Sequence, residues 1–175
     1  HCISSTSVDM WAQAVLSALG WLDTRAVLIR LGATFKELAE DSSVRCIILR
    51  GEGSSFCSGV DLNAAAQVWG KPAATEGEVA KWMERCKAPI VTCVQGACIN
   101  AGFEIALASD VLLVTPDAKL IDWHCRLGIA PSWGLSQKLA RAVGASRAKL
   151  VSFTGAPIDG TTAARCCLSY NFTPH

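Results

Sequence analysis

Apolar and polar residues repeat along this chain with two different periods, which predict helices alternating with short buried strands. Residues 24–41 carry apolar side chains every three to four positions, with Glu37 and Glu40 on the other face, as in an amphipathic helix. Residues 44–50 are short, rich in β-branched side chains and nearly continuous in apolar residues, which is typical of a strand buried on both faces. Ser42 and Ser43 separate the two elements.

The rest of the chain continues the alternation. Further strands are predicted at residues 89–95 and 111–114, and further helices at residues 78–86, 101–109, 135–142 and 147–153. Three connections are predicted: a turn-rich loop over residues 51–59, a mobile segment over residues 63–77, and turns with a short extended piece over residues 116–134. Strands that alternate with helices indicate an α/β fold with a mostly parallel sheet and right-handed crossovers.

Composition limits the classes of partner. The 175 residues fit one domain, and a net charge of +1 without any run of Lys or Arg argues against nucleic acid or an anionic membrane surface. No apolar stretch reaches the roughly 18–20 residues of a membrane span. Residues 10–22 are apolar but short and lack a preceding basic segment, so a secretory signal is not expected.

Cysteine and histidine are placed in a way that does not predict a metal site. None of the nine cysteines forms a Cys-x-x-Cys pair, and the histidines stand far apart, at His1, His124 and His175. An odd number of scattered cysteines is typical of a reduced, intracellular protein.

Two turn motifs, residues 53–62 and residues 96–110, carry the candidate chemistry. Each follows an apolar, β-rich run and places small residues where backbone N–H groups can point at a ligand, and the second opens a helix that carries Glu104. Two N–H donors beside a carboxylate suit a carbonyl whose oxygen becomes negative. An ordinary strand-to-helix turn with Gly59 at a positive φ explains the first motif as well. Neither GxGxxG nor GxxxxGK[ST] occurs, so a dinucleotide or P-loop site has no support.

Three polar residues are candidates for acid/base work. Glu104 lies among apolar neighbours, where a carboxylate is either paired or functional and where burial would raise its pKa. The alternative is a charge that favours the positive end of its helix, worth about 0.3–1 kcal/mol. Asp122 and His124 stand two residues apart and would share one face of an extended segment. Such pairs are common on surfaces, so the spacing alone is weak evidence.

The order of three groups of sequence strings is specific to a family. They are VRCIILRG with SFCSGVDL, then APIV with QG and AGFEIALASD, and then GIAPSWGLSQKL. Over residues 24–165 the chain resembles the enoyl-CoA hydratase/isomerase (crotonase) family, above all the monofunctional hydratases of the plant peroxisomal type and their bacterial relatives. The resemblance implies fatty-acid β-oxidation chemistry, an intracellular and peroxisomal location, and a fold of ββα units stacked in a spiral. Members usually assemble as trimers or dimers of trimers.

The resemblance also implies a binding site for an acyl-CoA thioester. In the family the carbonyl oxygen lies between two backbone N–H groups, which by motif position are those of Ser58 and Ala101. The segment from Ser58 through Gly59, Val60 and Asp61 would line the adenine and pantetheine of CoA. No metal or redox cofactor is implied, because CoA arrives as part of the substrate.

The family's hydratases hold one water with two glutamates over the C2=C3 double bond. The first glutamate corresponds to Glu104 and the second to His124, which Asp122 would orient. The resemblance implies hydration of a trans-2-enoyl-CoA. Because a histidine replaces the second glutamate, isomerisation, decarboxylation or another enolate reaction stays open.

Both ends of the sequence depart from the family's pattern. Residues 1–23 lack the usual first strands and residues 166–175 replace the expected strand and helices, so we expect a core at residues 24–165 with an atypical segment at each end, as in a truncated product. This would expose apolar surface on the helices of residues 135–153. No targeting signal is visible. A non-catalytic remnant that binds CoA or a partner is one alternative, and a hydrolase using Ser58 or Cys57 is another, although no Gly-x-Ser-x-Gly elbow surrounds either residue.

Overall fold

Strands and helices alternate in the computed structural model, which describes residues 12–17, 24–59 and 79–173. The strands are β1 (Ala12–Ser17), β2 (Ile47–Glu52), β3 (Ile90–Val94), β4 (Ala97–Ile99), β5 (Val111–Val114), β6 (Lys119–Ile121), β7 (Ile158–Asp159) and β8 (Tyr170–Asn171). The helices are α1 (Thr24–Glu40), α2 (Val79–Met83), α3 (Ala101–Leu107), α4 (His124–Leu127), α5 (Leu135–Val143), α6 (Ala145–Thr154) and α7 (Gly160–Arg165).

The strands form two sheets. The larger has the order β1-β2-β3-β5-β8, and every neighbouring pair in it is parallel. The smaller has the order β4-β6-β7, in which β4 and β6 are parallel and β7 is antiparallel to β6. The prediction of an α/β fold with a mostly parallel sheet is confirmed.

Two ββα units connect the sheets and position the candidate residues. In β3-β4-α3 and in β5-β6-α4, the first strand joins the larger sheet and the second joins the smaller one. Strands β4 and β6 pair in parallel, with Ile99 opposite Ile121. The carboxyl ends of the two strands therefore lie next to each other. Residues 100–104 and residues 122–124 therefore start side by side.

The core lies where the helices pack on these sheets. Its largest fully buried side chains are apolar, and each contributes about 1.5–3 kcal/mol relative to exposure. They include Phe35, Phe56, Phe103, Ile47, Leu49, Leu120, Leu135 and Leu139. Helix α1, predicted from its amphipathic pattern, contributes Leu31 and Phe35 to this core.

Several predicted boundaries need correction. Strand β2 begins at Ile47, and only one of its faces is fully buried, because Arg50 and Glu52 are exposed. Residues 96–100, predicted as a turn, include strand β4, and the predicted connection at residues 116–134 includes strand β6 and helix α4. Elements of three or four residues are too short to show a period in the sequence.

The two terminal segments each supply a strand. The expectation that residues 1–23 lack the first strands is wrong for Ala12–Ser17, because β1 pairs in parallel with β2. Within residues 166–175, Tyr170–Asn171 pairs with β5. The domain boundaries at residues 23 and 165 stay predictions. The predicted mobile segment at residues 63–77 and the first residue of the predicted helix at 78–86 lie outside the described residues.

The surface of helix α6 is partly apolar. Leu150 is 62% exposed and Phe153 is 70% exposed, which confirms the expected apolar surface on the helices of residues 135–153. In the parts of the chain that the structure describes, no helix combines the length and hydrophobicity needed to cross a membrane.

Candidate active site

Glu104 is a buried carboxylate held by backbone donors. It lies in the first turn of α3 and is 2% exposed. Its Oε1 accepts the N–H of Trp133 at 2.7 Å and lies 3.4 Å from the N–H of Leu135. Leu135 is the first residue of α5, where N–H groups have no partner within the helix and a negative charge is favoured. These contacts offset part of the cost of removing the carboxylate from water.

Asp122 and His124 form a second buried pair, directly after β6. They are 1% and 6% exposed. The Oδ1 atom of Asp122 accepts the backbone N–H of His124 at 3.1 Å and lies 2.7 Å from its ring Nδ1. The expectation that the two residues share one face of an extended segment is wrong, because His124 begins helix α4. The turn of the backbone at Trp123 brings the imidazole back to the carboxylate.

The two ββα units bring these groups together. The Nε2 atom of His124 lies 3.7 Å from Oε2 of Glu104, which completes a buried row from Asp122 through His124 to Glu104. The adjacency of β4 and β6 causes this convergence, since Glu104 follows one strand and His124 follows the other. The predicted combination of Glu104, Asp122 and His124 is therefore present as one cluster.

Burial affects the two carboxylates differently. Burial raises the pKa of Glu104, and the hydrogen bonds from Trp133 and the nearby His124 offset only part of this effect. Burial also acts on Asp122, but the hydrogen bonds from His124 and from the Ser152 hydroxyl are together stronger and lower the pKa of Asp122. Asp122 thus stays ionised and favours a proton on Nδ1 of His124, which directs the lone pair of Nε2 toward Glu104.

The segment around Ser58 lies against the start of α3. Cys57 pairs with Cys98, and the N–H of Ile99 donates to the carbonyl of Cys57 at 2.9 Å. Gly102 makes a close approach possible, because a Cβ on that residue would lie 2.7 Å from the Cβ of Cys57. Ser58 thus follows directly on a residue that packs against the first turn of α3.

Ser58 and Ala101 present backbone donors. Ala101 is the first residue of α3, so its N–H has no partner within the helix. Neither this N–H nor that of Ser58 donates to an acceptor within residues 12–17, 24–59 and 79–173. Gly59 has the positive φ that its sequence context predicts, 97°. Val60 and Asp61, expected to line the CoA site, lie outside the described residues.

The hydrolase alternative has no support in this geometry. Burial raises the pKa of the Cys57 thiol, which disfavours the thiolate that a nucleophilic cysteine needs. Ser58 follows it at an exposed position, whereas the ring of His124 is buried between Asp122 and Glu104.

Metal ligation is not indicated for the described part of the chain, where no group of three or more His, Cys, Asp or Glu side chains has a suitable arrangement. The expectation of a reaction without a metal or redox cofactor stays a prediction.

Besides Ser152, three contributors were missed from the sequence. Trp133 and Leu135 act through backbone N–H groups, which leave no mark in a sequence. Asn100 has a φ of 49°, and its Oδ1 accepts the N–H of Trp123 at 2.7 Å. The only available signal was the residue type, because Asn adopts positive φ more readily than most residues.

Comparisons with known proteins agree with this architecture. A family model described as Enoyl-CoA hydratase/isomerase matches residues 24–175. The chain is 46% identical over 143 residues to an Arabidopsis thaliana protein named "Probable enoyl-CoA hydratase 1, peroxisomal", covering 81% of this chain and 54% of the relative. It is 30% identical over 146 residues to the mitochondrial Delta(3,5)-Delta(2,4)-dienoyl-CoA isomerase of Dictyostelium discoideum, covering 75% of this chain and 50% of the relative.

A solved structure is similar in both sequence and fold. The crystal structure of enoyl-CoA hydratase from Mycobacterium tuberculosis H37Rv matches with a TM-score of 0.72 at 30% identity, covering 92% of this chain and 65% of that one. The chain spans about half the length of the curated relatives that it matches.

Proposed function

Because this chain belongs to the enoyl-CoA hydratase/isomerase family and has its crotonase fold, we propose that it adds water across the C2=C3 double bond of a trans-2-enoyl-CoA. The observation that carries this proposal is the separation of 3.7 Å between Glu104 Oε2 and His124 Nε2. This separation is too long for a direct hydrogen bond, so both atoms are available to one bridging water. The water would then lie between two groups that can each exchange a proton.

The backbone donors would stabilise the charge that develops on the substrate. We propose that the thioester carbonyl oxygen accepts hydrogen bonds from the N–H groups of Ser58 and Ala101, beside the cluster that Glu104 forms with Asp122 and His124. Attack at C3 moves the π electrons toward the carbonyl and forms a thioester enolate, whose oxygen is negative. Loss of one such donor typically lowers the rate about 10²–10³-fold.

The protons can be assigned in the proposed reaction. His124 Nε2 takes a proton from the water while its oxygen bonds to C3. Glu104, whose pKa burial raises, gives a proton to C2 as the enolate collapses. The imidazolium then returns a proton to Glu104 across the short gap between them. One water is consumed, and both side chains regain their starting states.

Spectroscopy of a short substrate tests this proposal. Trans-2-butenoyl-CoA should lose its conjugated-enoyl absorbance in the presence of the chain, and Glu104→Gln should slow the loss about 10²–10⁴-fold. Glu40→Gln, at an exposed position of α1, is the matched control and should keep the wild-type rate. An unchanged rate in Glu104→Gln would rule out the assigned role.

Isomerisation is the second candidate, because one similar relative is a dienoyl-CoA isomerase. Two acid/base groups near a thioester enolate can also move a proton from one carbon to another without consuming water. Mass spectrometry separates the two reactions, since hydration adds the mass of one water and isomerisation adds none. Binding of the thioester without turnover would instead support a non-catalytic CoA-binding role.

Location and assembly are also proposals. The name of the Arabidopsis relative supports a peroxisomal location, which immunofluorescence against a peroxisomal marker would test. Assembly into trimers or hexamers is supported by the apolar surface of α6 at Leu150 and Phe153, and light scattering would test it.

A further inference from the structure

Asn100 occupies the junction between β4 and α3 in a conformation that side chains rarely adopt. Its φ is 49° and its ψ is −108°, a combination that favours glycine. Such strain persists only where the surrounding structure compels it, and it concentrates at functional sites. The contacts of this residue therefore need an explanation beyond the turn itself.

Three hydrogen bonds fix Asn100 to the surrounding elements. Its N–H donates to the carbonyl of Ile121 at 3.0 Å, and its carbonyl accepts the N–H of Glu104 at 2.9 Å. Its side-chain Oδ1 accepts the N–H of Trp123 at 2.7 Å. One residue thus contacts the end of β6, the residue before His124, and the helical turn that carries Glu104.

The side chain of Asn100 does not do what its position predicts. Asn at the residue before a helix usually accepts an N–H of that helix, but no such bond forms at α3. The side-chain oxygen is used instead on Trp123, across the gap between the two ββα units. The strained backbone and the uncapped helix therefore accompany a side-chain hydrogen bond that joins the two ββα units.

We propose that Asn100 is a positioning residue that fixes the ring of His124 relative to Glu104 and to the N–H of Ala101. This inference rests on the proposed function for its effect on rate, but its effect on His124 is independent of that function. Asn100 acts through the Trp123 N–H, and Trp123 lies between Asp122 and His124. Without this bond, residues 122–124 lose the hydrogen bond by which the Asn100 side chain joins them to the start of α3.

Two substitutions separate the side-chain bond from the backbone conformation. Asn100→Gly removes the acceptor but suits the positive φ, so it should fold, and it should lower kcat for trans-2-butenoyl-CoA about 10²-fold with little change in KM. Asn100→Asp keeps an acceptor of the same length and should recover most of the lost kcat. Asn171→Gly, at an exposed position, is the control and should keep the wild-type kcat.

Nuclear magnetic resonance of the imidazole supplies a readout that does not need turnover. The chain has three histidines, His1, His124 and His175, so a ¹⁵N-histidine spectrum contains few ring signals. The wild type should show a proton on Nδ1 of His124, and Asn100→Gly should shift these ring signals toward a mixture of tautomers. Asn100→Asp should restore them.

The outcomes separate this inference from the proposed hydration. A wild-type ring spectrum in Asn100→Gly would overturn the positioning role, whatever happens to its melting temperature or rate. A changed spectrum that Asn100→Asp restores would support the role. If the wild type also failed to hydrate the substrate, that changed spectrum would still support positioning, whereas the proposed function would be wrong.

Discussion

One carboxylate oxygen of Asp122 contacts His124 twice, at the backbone N–H and at ring Nδ1, with separations of 3.1 Å and 2.7 Å. The same atom thus fixes the start of helix α4 and the orientation of the imidazole. Because both residues are buried, water competes little for either contact.

Asp122→Asn should disrupt the tautomer of His124 while preserving the shape of the site. An amide that donates to Nδ1 would move the ring proton to Nε2, where the proposed mechanism needs a lone pair. We expect kcat to fall by about 10²–10⁴-fold, as for other misoriented catalytic histidines. Steady-state kinetics measures this, with the exposed Asp117→Asn as control. A wild-type kcat in Asp122→Asn would contradict the assigned role of the carboxylate.

The raised pKa of Glu104 predicts a pH dependence of stability. Above the ordinary value of 4.5, the unfolded chain releases a proton that the folded chain keeps, so the free energy of unfolding falls as pH rises toward the raised pKa. Glu104→Gln has no side chain that titrates in this range. Its free energy of unfolding should therefore rise relative to that of the wild type as the pH increases over that range. Urea unfolding at a series of pH values measures the difference. If the difference in free energy of unfolding between the two proteins did not change with pH, burial would not shift the pKa of Glu104.

Ser152→Ala should act through Asp122. Losing the hydroxyl would let the pKa of Asp122 rise toward its ordinary value of 3.8, because one of the hydrogen bonds that lower it is gone. Hydrogen bonds to charged groups contribute about 1.5–3 kcal/mol, so we expect a loss of about 1–2 kcal/mol near neutral pH. This contribution exists only while Asp122 is ionised, and the loss should therefore shrink as pH falls below 3.8. Ser146→Ala, at an exposed position of α6, is the control for unfolding measurements.

Gly102→Ala should separate the Ser58 segment from helix α3. The new Cβ would lie 2.7 Å from the Cβ of Cys57, so one of the two backbones must move. We expect a loss of about 1–3 kcal/mol in stability and of about 10²-fold in kcat. Gly144→Ala is the comparison, because that glycine has a φ of 82° but open space around it. It should lower stability and keep kcat, and equal losses of kcat in both variants would contradict the steric explanation.

The sequence predicted the elements that have a clear period and the side chains that carry the chemistry. Helix α1 and strand β5 follow from their apolar patterns, and Glu104 follows from a carboxylate among apolar neighbours. Strand β4 could not be predicted, because its three residues show no period. Its pairing with β6 depends on residues about twenty positions away, and this pairing is what brings His124 to Glu104.

The supporting contacts could not be predicted for a different reason. Trp133 holds Glu104 through its main chain, and Ser152 reaches Asp122 from a helix that is remote in sequence. Neither contact depends on a local pattern. Asn100 was visible only as a residue that tolerates positive φ, and its bond to Trp123 exists only once the two units are adjacent.

The main-chain support of Glu104 has a consequence for how substitutions in this chain would be read. Any residue except proline supplies the N–H that position 133 offers to the carboxylate, whereas position 102 accepts no added carbon atom. A survey of random variants would thus rank a chemically inert glycine with the acid/base groups. At position 133 it would report the packing of the Trp side chain against the core rather than the hydrogen bond to Glu104. In this protein, tolerance to mutation does not measure distance from the chemistry.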